Sequence, residues 1–203
     1  MAPAADTRSP KEAPSAGSSR RCVDSRIVHV GTASWTNLRA INPKMGGDIG
    51  DSEQRLILTP AVLNHIARQQ QSNGVSREAG GQLFARFKNE QIRVERATGP
   101  RATDQRSRYG YAPDLRVEQE EIDAMHSHGL HFIGDWHTHP ERIPYPSASD
   151  IRSIRRAVVQ SKHHLNGFVM LVAGTEAFPL GLFLALYSSH GETAILLDRQ
   201  KVS

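Results

Sequence analysis

The chain has 203 residues, of which 38% are hydrophobic and 23% are charged, which suits one compact domain with an additional segment. It is short for a barrel of eight strand and helix units. The net charge of +4 comes largely from scattered arginines, so we expect a mixed solvated surface and no nucleic-acid partner. Cys22 is the one cysteine, which excludes an intrachain disulfide and a zinc site built from cysteines.

The N-terminal region differs in composition from the rest of the chain. Residues 1–21 are rich in alanine, proline, serine and charge and lack an apolar run, which predicts a disordered tail. We find no secretory signal and no apolar segment of membrane-spanning length, so we expect a cytoplasmic protein without membrane contact. A short strand-like run at 26–30 and the glycine-rich stretch 45–51 follow. We interpret residues 1–53 as a disordered tail and a linker or loosely attached extension.

Residues 54–203 are predicted to form one domain. Thr59 and Pro60 supply an N-cap and a first-turn proline for its first helix. The predicted elements are a strand at 55–58, a helix from 60 to about 71, strands at 80–87 and 91–97, a helix at 115–126, a strand at 130–136, a helix at 151–162, and strands at 167–173, 180–187 and 193–197. This order of elements indicates a mixed α/β fold.

A polar stretch at 98–114 separates the predicted hairpin from the second helix. It carries Arg101, Arg106 and Arg108 and is long enough to be a functional loop. A solvated connection without a function of its own is the alternative interpretation.

Two histidines and an aspartate form the pattern with the clearest chemistry. His137 and His139 are alternate residues at the end of a predicted strand, so both imidazoles can face one ion. Asp150 lies three residues after Ser147 at a predicted helix start, where its carboxylate can reach the same ion. Two imidazoles and one carboxylate leave the fourth position of a tetrahedral zinc for water, as in catalytic sites. Zinc lowers the pKa of such a water to about 7.

Two other interpretations compete with the metal site. The Ser147-x-x-Asp150 pattern is also a helix-capping signature, although capping does not account for the histidine pair. A second H-x-H pattern, His126-Ser127-His128, occurs at a predicted helix end. Alternate side chains diverge on a helix, so we do not expect this second pair to bind metal.

Three segments together resemble a known family. The segments at 78–84 (EAGGQLF), 134–140 (GDWHTHP) and 146–150 (PSASD) are similar to the JAMM (JAB1/MPN/Mov34) metalloprotease motif, in its prokaryotic JAB form. The resemblance implies a cytidine-deaminase-like fold with a central, curved, mostly antiparallel sheet flanked by helices. The glycine pair after Glu78 either allows a close backbone approach to the site or forms a simple turn.

The resemblance also assigns roles to five residues. His137, His139 and Asp150 match the ligands of one zinc ion per chain. Glu78 matches the glutamate that takes a proton from the attacking water and passes it to the leaving amine. Ser147 matches the hydroxyl that stabilises the oxyanion. These roles are chemically coherent, because a carbonyl gains negative charge during attack and a hydroxyl donor then stabilises it.

These motif segments are most similar to those of JAB proteins encoded beside E1-like and E2-like proteins in bacterial antiphage conjugation operons. This similarity implies an isopeptidase that cleaves an amide or isopeptide bond at the C-terminal tail of a ubiquitin-like or conjugated protein. A peptidase for phage tail assembly or for sulfur-carrier processing shares the motif and remains an alternative. A noncatalytic scaffold is a third, although all five motif positions are filled here.

Overall fold

The computed structural model describes residues 44–199. Cys22, the predicted tail and the strand predicted at 26–30 lie outside the described residues. The described part contains three helices and eleven strands. The strands are β1 Met45–Asp48, β2 Arg55–Leu58, β3 Gly80–Lys88, β4 Gln91–Ala97, β5 Gln105–Ser107, β6 Gly110–Ala112, β7 His131–Thr138, β8 Phe168–Ala173, β9 Leu182–Ser188, β10 Gly191–Ala194 and β11 Asp198–Arg199, and the helices are α1 Pro60–Ala67, α2 Leu115–Ser127 and α3 Ala148–Gln160.

Nine strands form one sheet in the order β10-β9-β8-β7-β3-β4-β2-β1-β11. The β2–β4 and β7–β8 pairs are parallel and the other pairs are antiparallel, so the expectation of a mixed fold with a mostly antiparallel sheet is confirmed. Strands β5 and β6 form a separate hairpin within the stretch 98–114. That stretch is therefore folded and is not a simple connection.

The interpretation of residues 1–53 as a tail and a linker or loosely attached extension is wrong for Met45–Asp48. Met45–Asp48 is β1, which pairs with β2 and joins β11 to the main sheet. A Cβ on Gly47 would lie 2.3 Å from the carbonyl oxygen of Leu196, so glycine permits the close approach of that segment. Arg55 binds Asp48 and Asp198, which ties the three edge strands together.

The first helix is shorter than the sequence predicts. Thr59 caps α1 by accepting a hydrogen bond from Val62 N, but the helix ends at Ala67 and not near Gln71. The side chain of Gln71 is buried and donates to the carbonyls of Ser76 and Arg108. These bonds hold the following loop in place.

The main hydrophobic core joins α1, which packs against β4, to the buried residues of β2, β3, β4, β7 and β8. All six residues of β8 are buried, and Trp136 of β7 is completely buried. The Trp136 indole donates to Thr98 O at 2.9 Å, which satisfies its polar atom. The sheet is therefore rigid at the C-terminal end of β7, where the predicted metal ligands lie. Among the described residues, no helix is both long and apolar enough to span a membrane.

Candidate active site

The predicted histidine pair lies at the C-terminal end of β7. His137 is opposite Gly80 of β3 and Val172 of β8, so it is held between two neighbouring strands. His139 follows the strand, and its backbone N–H donates to Ala173 O at 2.9 Å. Their side chains are 12% and 10% exposed, and the ring centroids lie 4.9 Å apart. The alternation of a strand therefore brings both imidazoles to one side, as the sequence predicts.

Asp150 reaches the histidines from the first turn of α3. Ser147 is the N-cap: its Oγ accepts from Asp150 N at 3.2 Å, while Asp150 Oδ2 accepts from Ser147 N at 2.7 Å. This reciprocal pair is a capping box. Capping and metal binding are consequently not exclusive, because the capping box is what aims the Asp150 carboxylate at the imidazoles.

The spacing of the three ligand atoms fits a tetrahedral metal ion. Asp150 Oδ2 lies 3.4 Å from His137 Nε2 and 3.4 Å from His139 Nε2. Two ligands about 2.0–2.1 Å from one zinc in tetrahedral directions are about 3.3–3.4 Å apart. His137 Nε2 is buried and has no hydrogen-bond partner among the described residues. A buried nitrogen without a partner is costly, and a metal ion would satisfy it. Within the described residues, no other group of His, Cys, Asp and Glu has such an arrangement.

The charges of the site favour an ionised carboxylate at Asp150. Burial by itself raises the pKa of Asp150, but the facing His137 and His139 outweigh burial and hold that pKa far below its ordinary value. For His139, burial lowers the pKa, and the neighbouring carboxylates of Asp150, Glu78 and Glu141 more than reverse that effect. The surroundings thus stabilise positive charge at His139, and positive charge is what a divalent cation would supply.

Glu78 lies just before β3, next to the ligand strand. Its side chain is buried, and burial raises its pKa to about 7. His139 lowers this pKa, whereas Asp150 and Glu141 raise it. The backbone of the next residue, Ala79, pairs with Thr138: Thr138 N donates to Ala79 O at 2.8 Å, and Ala79 N donates to Thr138 Oγ1 at 3.0 Å. A carboxyl group with a pKa near neutrality can both accept and release a proton.

The hydroxyl of Ser147 is exposed beside the ligand atoms. Because Oγ accepts the capping bond from Asp150 N, its own hydrogen remains available for donation. Ser149 Oγ lies 2.7 Å away, and either hydroxyl can be the donor of that pair. The five predicted site residues therefore lie around one location: His137, His139, Asp150, Glu78 and Ser147.

The glycine pair after Glu78 does not form a turn, and the close approach that it allows is to the stretch 98–114. Both glycines lie in β3. A Cβ on Gly80 would lie 2.5 Å from the Tyr111 ring, and a Cβ on Gly81 would lie 1.9 Å from Thr98 O. The stretch 98–114 thus packs directly on the strand that follows Glu78.

The three arginines of this stretch bind protein groups. Arg101 is 7% exposed and binds Glu118 and Glu121 of α2, with Nη1–Oε1 and Nη2–Oε2 distances of 3.2 Å and 2.5 Å. Arg106 and Arg108 donate to backbone carbonyls of the segment that leads to Glu78. Sequence reasoning did not anticipate these contacts, because nothing local in the chain specifies which carbonyls a hairpin will meet.

The second H-x-H pattern lies away from the ligand group. His126 stacks edge-on against His131, and His128 Nδ1 is 2.7 Å from Ala124 O. Both are exposed on the last turn of α2 and its cap. Sequence reasoning did miss Glu141, whose Oε2 lies 3.6 Å from His139 Nδ1. Its position two residues after a ligand was the available signal.

Comparison with known proteins identifies relatives of this chain. Residues 59–186 match the family described as prokaryotic homologs of the JAB domain. A CD-NTase/cGAS isopeptidase of Escherichia coli strain TW11681 is 26% identical over 136 residues, covering 66% of this chain and 85% of that protein. One from Vibrio cholerae serotype O1 is 28% identical, covering 64% and 83%. One from Pseudomonas aeruginosa strain BWHPSA011 is 32% identical, covering 49% and 65%.

Proposed function

This chain belongs to the family of prokaryotic homologs of the JAB domain, and we propose that it is a zinc-dependent isopeptidase that cleaves an amide or isopeptide bond at a protein's C-terminal tail. The observation that carries the proposal is the mutual 3.4 Å spacing of Asp150 Oδ2 with two imidazole nitrogens beside a buried glutamate. The names of the relatives support the isopeptide bond as the substrate class.

The zinc would be held by His137, His139 and Asp150 and would supply Lewis acidity toward the scissile carbonyl and toward water. Glu78 then acts as the general base. Its carboxylate takes a proton from the attacking water and gives it to the departing amine nitrogen, so the proton is conserved over the reaction. A pKa near 7 suits both transfers at neutral pH.

Ser147 acts on the carbonyl oxygen. Its O–H donates a hydrogen bond that strengthens as negative charge develops on that oxygen. The capping bond from Asp150 N fixes the position of Oγ without using this hydrogen. Removing one such donor costs about 10²–10³-fold in rate in other hydrolases.

For the substrate we propose a conjugate of the kind named for the relatives, a CD-NTase whose C-terminus is joined to a lysine amine, in a bacterial antiphage conjugation system. The test uses two matched substrates: this isopeptide-linked conjugate, and a linear fusion in which the same C-terminus continues into a peptide. We expect the zinc-loaded chain to release the conjugated CD-NTase and Glu78→Gln to release none.

The outcomes separate the alternatives. Cleavage of the linear fusion alone would point to a peptidase for another substrate. Absence of cleavage of both substrates by a chain that contains zinc would contradict the enzyme proposal and favour a scaffold. Metal analysis of the purified chain is expected to find one zinc, and His137→Ala none. For the antiphage role, Glu78→Gln is expected to change phage plating efficiency in cells that carry the conjugation genes, and equal plating would contradict it.

A further inference from the structure

The backbone of Glu78 is not part of a strand. β3 begins two residues later, at Gly80. The location of the Glu78 Cα therefore depends on contacts of the peptide groups around it. On one side, the Ala79 backbone forms two hydrogen bonds with Thr138, which lies between the two histidine ligands.

The β5–β6 hairpin supplies the contacts on the other side. Glu78 N donates to Ser107 O at 2.7 Å, and Arg106 Nε donates to Glu78 O at 2.5 Å. Arg106 Nη2 also donates to Arg77 O at 3.4 Å. Both polar groups of the Glu78 backbone are consequently bound to two adjacent residues of β5. A bond from a guanidinium to a carbonyl is charge-assisted and stronger than a neutral one.

The Arg106 side chain is not used for an ion pair. Within the part of the chain that the structure describes, no carboxylate lies within 4.0 Å of its guanidinium nitrogens. It is partly buried, and burial lowers its pKa from the ordinary value. A partly buried guanidinium that donates to backbone carbonyls instead of to acids orients those carbonyls, because its donors form a rigid fork.

The hairpin itself is held by groups outside it. Gln71 Nε2 donates to Arg108 O at 2.9 Å, and the Tyr111 ring packs on Gly80. Arg101, just before the hairpin, is bound to the acids of α2. The hairpin is therefore held in a fixed position, and the Arg106 side chain connects it to the Glu78 backbone.

We propose that Arg106 is a positioning residue, which sets the location of the Glu78 carboxylate relative to His137, His139 and Asp150. The catalytic consequence rests on the proposed function. Replacing Arg106 removes the bonds to Arg77 O and Glu78 O, so on the hairpin side the Glu78 backbone keeps only the bond from Glu78 N to Ser107 O. The Thr138 bonds to Ala79 and the metal ligands are unaffected. A general base displaced by about 1 Å costs about 10²-fold in rate.

Arg108 provides the matched control. It lies in the turn of the same hairpin and donates to the carbonyls of Asn73 and Gly74, four or five residues before Glu78. The experiment compares the full chain with its Arg106→Ala, Arg106→Lys and Arg108→Ala variants. The first readout is hydrogen exchange of individual backbone amides by NMR, which needs neither substrate nor activity. The other readouts are zinc affinity by chelator competition and kcat and KM on the cleaved conjugate.

The Glu78 amide shares its peptide group with Arg77 O, which loses its guanidinium donor in Arg106→Ala. We therefore expect this variant to raise the exchange rate of the Glu78 amide at least about tenfold, while the Ala79 amide remains protected by Thr138. Its kcat should fall about 10–100-fold with KM and zinc affinity within about twofold of the wild type. Lysine can donate one hydrogen bond, so Arg106→Lys should give intermediate values. Arg108→Ala should leave the Glu78 amide and kcat unchanged.

The proposal would be overturned by an unchanged Glu78 amide in Arg106→Ala, or by equal effects of Arg106→Ala and Arg108→Ala. A fall in zinc affinity or in the protection of all amides would also overturn it, because that pattern is general destabilisation. A wild-type chain without hydrolytic activity would instead contradict the proposed function, and the amide exchange would still decide the role of Arg106.

Discussion

His139 Nδ1 faces the carboxylate of Glu141 at 3.6 Å, on the opposite side of the ring from Asp150. A carboxylate on this side of the ring favours the tautomer with its proton on Nδ1, which leaves the Nε2 lone pair for a metal. The Glu141 backbone is fixed by Thr175 N, which donates to Glu141 O at 2.8 Å. The Glu141 side chain is 60% exposed, so its burial adds little to the stability of the fold, and we expect its main effect to be on the orientation of the His139 ring.

We therefore predict that Glu141→Ala weakens zinc binding about tenfold, because outer carboxylates contribute about 10–100-fold to metal affinity. Chelator competition at fixed pH measures the change. Glu90→Gln, in the exposed turn between β3 and β4, is the control and should bind zinc like the wild type. Equal affinities of Glu141→Ala and the wild type would show that Glu141 does not orient His139.

The two H-x-H patterns predict opposite results on substitution. His137 and His139 are buried beside Asp150, whereas His126 and His128 are exposed at the end of α2. We predict that His126→Ala and His128→Ala leave the zinc content at one per chain and that His137→Ala abolishes it. Elemental analysis after dialysis against a metal-free buffer measures this. Loss of zinc from the His126→Ala variant would indicate that the second H-x-H pair binds the metal, which would contradict the assignment to His137 and His139.

The cluster around Arg101 predicts a pH dependence of stability. One guanidinium faces Glu118, Glu121 and Asp104, so it does not neutralise all of the acids around it. Burial raises the pKa of Glu118 to about 7, and Arg101 offsets this only in part. Between about pH 4.5 and 7 the unfolded chain has released the Glu118 proton and the folded chain retains it. Stability from this group is therefore complete below about pH 4.5 and is lost as the pH rises through 7.

We predict that Glu118→Gln makes the fall of unfolding free energy with pH shallower, by up to about 1.4 kcal/mol per pH unit. Urea unfolding at pH 5, 6 and 7 with constant zinc measures this slope. Glu120→Gln is the control, since Glu120 is 62% exposed on the same helix. Parallel curves for Glu118→Gln and the wild type would show that Glu118 is ionised throughout this range in the folded chain.

The backbone around Gly81 leaves no space for a larger side chain. A Cβ at this position would lie 1.9 Å from Thr98 O, so alanine has to displace the backbone that leads to the hairpin. We predict that Gly81→Ala lowers the free energy of unfolding by about 2–3 kcal/mol, as overpacking does. Gly74→Ala is the control, because its nearest neighbour would be an arginine nitrogen 3.9 Å away. Urea unfolding compares the two, and equal stabilities would refute the steric argument.

The grouping of the candidate metal ligands was predictable because their geometry is local. His137 and His139 follow the period of a strand, and Asp150 follows the spacing of a capping box, so short stretches of sequence determine where these side chains point. The mixed fold was predictable for a similar reason, since each long helix and strand carries its own periodicity.

The missed features depend on contacts between distant segments. Met45–Asp48 has little intrinsic strand propensity and becomes a strand because β2 and β11 pair with it. The bond from Arg106 to Glu78 spans 28 residues and depends on where the hairpin docks. Local periodicity carries no information about such docking, so from the sequence this arginine-containing stretch was interpreted as a functional loop or a solvated connection.

Asp150 Oδ2 is at once the acceptor for Ser147 N and the atom that faces both imidazoles. One oxygen therefore belongs to the helix and to the ligand set. A chain in which α3 frays at its first turn has also lost its third ligand and the fixed position of the Ser147 hydroxyl. Formation of the first turn of this helix and assembly of the proposed metal site are thus coupled, so that binding of a metal would add to the stability of the helix.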